Sequence, residues 1–84
     1  MAYIVRITPV AKRQIKGLER TVQERIIKCL EKLETNPRPQ GVKKLSGAES
    51  LYRVRVVDYR IIYEIQDKAL VVLVVKVAHR REAY

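Results

Sequence analysis

The chain has 84 residues, 18 of them Lys or Arg against 9 Asp or Glu, for a formal charge of +9. That length makes one domain, 1–84, whose core removes only roughly 60–65% of the unfolded surface from water. So large a positive excess points to an anionic partner, such as nucleic acid, an acidic protein or a membrane surface, and is silent on fold.

Ala2 to Ile7 is short and rich in strand formers. Thr8-Pro9 then reads as an N-cap followed by proline at the first helical position. Ala11, Ile15 and Leu18 mark one face of a first helix, opposite Lys12, Arg13, Lys16 and Arg20, and Gly17 weakens its end. Thr21-Val22-Gln23-Glu24 has the form of a capping box, so a second helix is expected to start there. Val22, Ile26, Cys29, Leu30 and Leu33 recur at helical spacing, which puts Cys29 on the buried stripe as a small core hydrophobe. The cations of the helix pair (Lys12, Arg13, Lys16, Arg25, Lys28, Lys32) are expected to form a solvated face or, as the alternative, a secondary RNA-docking surface.

The run Asn36-Pro37-Arg38-Pro39-Gln40-Gly41 ends the second helix, because proline excludes helix at and before itself. Val42 to Ser50 reads as a linker or short turn. The period then changes to two. Residues 51–57, 59–66 and 69–78 read as strands joined at Val57-Asp58 and Gln66-Asp67-Lys68. The third run, Leu70 to Val75, is apolar on both faces, as in a central strand or one face covered by a partner. The expected architecture is α+β in the order β-α-α-β-β-β. Two helices pack on one face of a mostly antiparallel four-stranded sheet and leave the other face available.

Alternation puts Arg53 and Arg55 on one face, with Tyr52, Val54 and Val56 on the other. Arg60 shares a side with Ile62 and Glu64, whereas Tyr59, Ile61, Tyr63 and Ile65 read as core. Whether Arg60 joins Arg53 and Arg55 depends on register, which the sequence leaves open. Exposed strand arginines also serve simply to keep a sheet soluble. Guanidinium groups grip phosphates and phenol rings stack on bases, so an RNA site is the sharper reading. His79 is either a candidate acid or base or an ordinary strand-end histidine. The lone Cys29 allows no intrachain disulfide. One histidine, one cysteine and scattered carboxylates give no metal-ligand spacing, so no metal or cofactor is expected. The longest apolar run, Ala69 to Val75, is far below the ~20 residues needed to span a bilayer. With no signal-peptide pattern, a cytoplasmic protein with no membrane partner is expected.

The segments Val42-Lys43-Lys44-Leu45-Ser46-Gly47, Tyr52-Arg53-Val54-Arg55-Val56-Val57-Asp58-Tyr59-Arg60-Ile61-Ile62-Tyr63-Glu64-Ile65 and His79-Arg80-Arg81-Glu82-Ala83-Tyr84, in this order of elements, resemble the RelE-type toxins of the RelE/ParE toxin–antitoxin superfamily. The resemblance covers essentially the whole chain and implies a RelE-like, microbial-RNase-like fold. It also implies a metal-independent endoribonuclease that enters the 30S A site of the ribosome and cuts messenger RNA there. The 2′-hydroxyl attacks the neighbouring phosphate and leaves a 2′,3′-cyclic phosphate, and translation stops. Partners implied are a cognate antitoxin, the ribosome and mRNA, in a toxin–antitoxin hetero-oligomer that binds operator DNA through the antitoxin.

On the same resemblance the family's two strand lysines correspond to Arg53 and Arg55, and its phosphate-binding arginine to Arg60. The leaving-group arginine corresponds to Arg80 and the base-stacking tyrosine to Tyr84. Arg81, Lys43 and Lys44 are expected to bind RNA, and His79 is the candidate acid or base. The departure matters chemically, because lysine can lose a proton and arginine essentially cannot. Arg53 and Arg55 can still stabilise the charge that develops on phosphorus. Two other readings share these residues: a ParE-like inhibitor of DNA gyrase, and a non-catalytic RNA- or ribosome-binding module.

Overall fold

The computed structural model describes residues 2–45, 50–79 and 81. The elements in chain order are β1 (Ile4–Ile7), α1 (Pro9–Lys16), α2 (Arg20–Thr35), β2 (Lys43–Lys44), β3 (Leu51–Val56), β4 (Tyr59–Gln66) and β5 (Val71–His79), with a 3₁₀ turn at Asp67–Ala69. They build one five-stranded sheet in the order β1-β5-β4-β3-β2. The β1–β5 pair is parallel and the other three pairs are antiparallel.

The α+β class and the two N-terminal helices are as expected. The strand count is corrected from four to five. Lys43 and Lys44, read as linker, pair with Arg53 and Tyr52 as a two-residue strand. The chain reaches that register through a tight turn in which Val42 N–H donates to Pro39 O at 3.2 Å. Gly41 takes φ +91° there, a left-handed value glycine reaches without penalty.

The Thr8-Pro9 reading holds: the Thr8 hydroxyl accepts from Ala11 N–H at 3.2 Å and Pro9 opens the helix. The capping box at Thr21 does not form. Helix α2 begins two residues earlier than a Thr21 cap would place it, at Arg20 with Glu19 as N-cap and no side-chain cap, and Thr21 lies exposed in the first turn. A different device closes the inter-helix corner, where the Gln23 amide donates to Leu18 O at 2.9 Å and to Lys16 O at 3.3 Å.

The core lies between the helices and one face of the sheet. Ala11, Ile26, Leu30 and Leu33 meet Ile61, Tyr63, Ile65, Val72, Val74 and Val77. Tyr63 is fully buried, and its hydroxyl donates to Pro37 O at 2.7 Å, so the one polar atom it takes inside is satisfied. That bond also fastens the loop after α2 onto β4. A second fastening runs over the surface. Arg38 makes a bidentate pair with Asp67 at 3.2 and 2.8 Å, and Tyr3 donates to the same carboxylate at 2.7 Å. The Arg38 guanidinium also lies 5.2 Å above the Tyr52 ring. β1, the loop, β3 and the 3₁₀ turn are thereby tied at one point.

Strand β5 starts at Val71, two residues later than expected. Asp67–Ala69 turn as 3₁₀ helix, and Leu70 at φ 55° redirects the chain before pairing resumes.

Candidate functional site

The register left open by the sequence is set by a two-residue turn. Val57 and Asp58 connect β3 to β4, so Val56 pairs with Tyr59 and Arg55 with Arg60. Paired residues share a face, which brings Arg53, Arg55 and Arg60 onto the side of the sheet away from the helices. Leu45 N–H donates to Leu51 O, and Ile65 N–H donates to Ser50 O. Odd residues of β3 therefore aim their backbone groups toward β2 and even ones toward β4. Arg55 and Arg60 are thus a non-hydrogen-bonded pair, the kind whose Cα atoms approach to about 4.5 Å and whose side chains lie closest.

Lys43 pairs with Arg53 and so joins the same face. Gly41, Lys43, Arg53, Arg55 and Arg60 line a recess of about 230 Å³. The glycine leaves one wall without a side chain, and a Cβ built on it would meet nothing within 4 Å. Four long cations around such a space are suited to gripping a phosphate group and stabilising charge that grows on it. Arg53 and Arg60 are half-buried, while Lys43 and Arg55 are exposed.

Lys44, expected with Lys43, pairs with Tyr52 and takes the opposite parity, so it is not part of the recess. His79 is not brought to the arginines either. It pairs with Tyr59, whose ring packs on the core, and the two rings meet edge to face at 5.3 Å. Its Nδ1 accepts from Arg81 N–H at 3.3 Å. The cause is a bulge. Tyr63 pairs with Val74 but Ile62 pairs with Lys76, leaving Val75 as the extra residue. Counting by twos from the buried Val72 and Val74 would turn His79 outward, and the bulge inverts that parity. As a proton carrier for the recess, His79 sits on the wrong face.

The same bulge brings in a residue the sequence reading missed. Lys76, paired with Ile62, lies on the arginine face in the row Lys43–Arg53–Ile62–Lys76 across four strands. Only the bulge would have signalled it, because unbroken alternation turns Lys76 inward. Arg81 is exposed in the turn after β5. The expectations for Arg80 and Tyr84 fall outside the described residues.

The thiol of Cys29 is half-buried and burial pushes its pKa up, as befits a core-facing thiol. Among the described residues no group of three His, Cys, Asp or Glu could hold a metal ion.

The family model for the ParE toxin of the type II toxin–antitoxin system parDE matches residues 5–84. The toxin in the crystal structure of the archaeal RelE–RelB complex from Pyrococcus horikoshii is 32% identical, with a TM-score of 0.87 over 99% of this chain and 100% of that one. In the intact Escherichia coli RelBE toxin–antitoxin complex the similar chain is 29% identical, with a TM-score of 0.83 over 93% of this chain and 96% of that one. A relative named mRNA interferase toxin RelE, from Escherichia coli, is 29% identical across 99% of this chain and 88% of its own length. Two helices on one face of a sheet, a basic recess on the other and these matches agree: the chain belongs to the RelE/ParE family of type II toxin–antitoxin toxins and is of the RelE type.

Proposed function

We propose that this RelE-type toxin is a ribosome-dependent endoribonuclease, held in check by a cognate antitoxin. It cuts mRNA in the A site of the cytoplasmic ribosome by attack of a 2′-hydroxyl on the adjacent phosphate, without a metal ion. The observation that carries this reading is the opposition of Arg55 and Arg60 in a recess with Arg53 and Lys43. Like charges directly opposite each other weaken a sheet. A fold that nevertheless gathers them supports a ligand that brings negative charge. A phosphate seated among them gains most as it becomes a doubly charged phosphorane, which is differential stabilisation of the transition state. The similar relative named mRNA interferase supports the same activity.

Arginine keeps its proton at any working pH, so Arg53, Arg55 and Arg60 act on charge and position. Proton transfer therefore falls to other groups or to the ribosome-bound RNA and its water. Orientation of the 2′-hydroxyl in line with the phosphate, imposed by the ribosome, supplies part of the acceleration. Arg80 is the expected leaving-group residue, Tyr84 the expected base-stacking one, and Arg81 an added phosphate contact.

Primer extension on mRNA from translating cells after induction tests the reading. Cuts phased with codons are expected, and their loss in Arg60→Ala. A second reading, inhibition of DNA gyrase, draws on the description of the matching family model as ParE. A gyrase supercoiling assay with the purified chain separates the two, since the ribonuclease leaves supercoiling intact.

A further inference from the structure

The bulge that turns Lys76 onto the arginine face is clamped by helix α1. β1 pairs with β5 only as far as Val74, and no strand among the described residues covers the outer edge of β5 from Val75 to His79. Two side chains of α1 and its cap take over there. The Thr8 hydroxyl donates to Val75 O at 3.3 Å, and the Gln14 amide oxygen accepts from Val77 N–H at 2.7 Å. These two bonds bracket Lys76. Bulges re-aim side chains and are over-represented next to active sites. One fixed on both sides by a helix holds its residue to a single direction.

Three observations say what Lys76 meets. First, it stands outside the recess walled by Lys43, Arg53, Arg55 and Arg60. Along the row Lys43–Arg53–Ile62–Lys76 it lies two strands from Arg53, a backbone separation of roughly 10 Å at ordinary strand spacing. Second, the residue between them is Ile62, half-buried, so an apolar surface separates two cationic ends. Third, Lys76 is half-buried and has no ion-pair partner among the described residues. Glu64, the one carboxylate on the strands of this face, instead takes a hydrogen bond from the Gln66 amide at 2.6 Å.

Cation, apolar surface, cation is the pattern that one nucleotide presents in reverse, as phosphate, ribose and base, and phosphate. We propose that Lys76 holds the phosphate next to the one that is cut, and that Ile62 carries the ribose between the two. Thr8 and Gln14 are positioning residues that act through Lys76. This inference rests on the ribonuclease reading above and extends its site by one nucleotide. The neighbouring phosphate keeps its charge throughout the reaction. Lys76 therefore binds ground state and transition state alike, which changes saturation and leaves the chemical step alone. The recess arginines meet the charge that grows, and they act on the rate.

The test uses the full chain in excess over ribosomes programmed with an mRNA that it cuts, in single turnover across a range of toxin concentrations. Lys76→Ala should raise the half-saturating concentration about 5-fold, as for the loss of one ion pair near the surface, at an unchanged saturated rate. Lys76→Arg should restore the native value. Gln14→Ala should raise the half-saturating concentration of the native chain and add nothing in the Lys76→Ala background. A neutral methylphosphonate is placed in turn at the two linkages flanking the cut. At one of them it should cost the native chain the same factor and cost Lys76→Ala nothing further. Binding is read in parallel on the same mRNA with a 2′-deoxy nucleotide at the cut position, which removes the attacking hydroxyl.

A Lys76→Ala chain with native half-saturation overturns the proposal and leaves the ribonuclease reading standing. So does one whose saturated rate falls at constant half-saturation, which would place Lys76 in the chemistry. Methylphosphonates that cost the two chains equally at both linkages overturn the assignment to a neighbouring phosphate. A Gln14→Ala effect that persists without Lys76 overturns the role given to Gln14. A native chain that binds the deoxy complex with the same dependence on Lys76 and on the linkage, yet cuts nothing, upholds the contact and overturns the ribonuclease reading. One that neither binds nor cuts overturns both.

Discussion

On the helix side of β4, Ile61, Tyr63 and Ile65 are buried, while one residue along Arg60, Ile62 and Glu64 look the other way. The helix side obeys packing. Large apolar groups fill it, and the buried Tyr63 hydroxyl finds a carbonyl. The open side breaks a local rule by opposing Arg55 to Arg60 and adding Arg53 and Lys43 beside them. The same strands, with the same alternation, produce both. What differs is which residues the parity delivers to each side. A conflict with local preference that the fold retains is a mark of function.

Removing the ring of Tyr63 tests the packing side hardest. Tyr63→Ala should destabilise by about 3–5 kcal/mol, as truncation of a buried aromatic does. For a chain of this size that exceeds or nearly exhausts the margin of stability, so the expected outcome is loss of a cooperative thermal transition. The open side should respond in the opposite way. Arg60→Ala should lower single-turnover cleavage on programmed ribosomes by on the order of 10²–10³, the effect of removing one donor from a charge-stabilising site. Its unfolding free energy, read from urea titration, should stay within about 0.5 kcal/mol of the native chain, as for surface changes generally. Arg53→Lys and Arg55→Lys keep the charge and should keep most of the rate, whereas alanine at either should not. Arg60→Ala with full cleavage and a collapsed fold would reverse the roles assigned to the two sides.

A finer cut separates the Tyr63 ring from its hydroxyl. Tyr63→Phe keeps the packing and leaves Pro37 O without its donor, which should destabilise by about 1–2 kcal/mol and spare cleavage. If cleavage fell along with stability, the loop that Tyr63 holds would be part of the site, since Gly41 of that loop lines the recess.

Most of the helix side was legible in the sequence. Ile26, Leu30 and Leu33 recur every three or four residues, and Tyr59, Ile61, Tyr63 and Ile65 every two, so period alone found the core. The arginine face was half legible. Alternation grouped Arg53 with Arg55, but Arg60 needed register. That was implicit in the two-residue connection Val57-Asp58, which forces Val56 opposite Tyr59. The bulge at Val75 could not be read, because nothing in Leu70 to Val75 distinguishes one valine from the next. His79 and Lys76 therefore landed on the faces opposite to a plain count. The Thr21 capping box matched a pattern that occurs within the first turn of a helix as readily as at its cap.

The turn that sets the arginine register carries strain of its own. Val57 holds φ 56°, a left-handed value that a β-branched residue resists, and it is 45% exposed, so its side chain contributes little burial. Val57→Asn should relieve the strain and stabilise by about 1 kcal/mol, raising the melting temperature by roughly 4–8 °C for a domain of this size. Cleavage should be unchanged if the turn's only role is to fix Arg55 opposite Arg60. A stabilised variant with reduced cleavage would mean that Val57 itself contacts the RNA.

The smallest effect distinguishes an arginine used for structure from the arginines of the recess. Arg38 has a carboxylate partner on the surface, and the Asp67 carboxyl is held down to about 2 from its ordinary 3.8, first by the Arg38 hydrogen bonds and then by that of Tyr3. A depressed carboxyl stabilises the fold fully above its unfolded value, and that stabilisation is lost as the pH falls through the folded one. Melting temperature should therefore decline between pH 3.8 and about 2 more steeply than in Asp67→Asn. The Tyr3 hydroxyl, donating to the same carboxylate, is pushed above its ordinary 10.0. A raised group contributes below its unfolded value and loses that contribution as the pH climbs through the folded one, so the same variant should also flatten the profile above pH 10.0. Both groups are largely in water, so each change should be a small slope on the larger acid and alkaline transitions of the whole chain. Arg60→Ala should leave both slopes intact, because its site lies on the other face of the sheet. An Asp67→Asn protein with native slopes at both ends would show that the Arg38–Asp67–Tyr3 contact does not hold β1, the loop and the 3₁₀ turn together in solution.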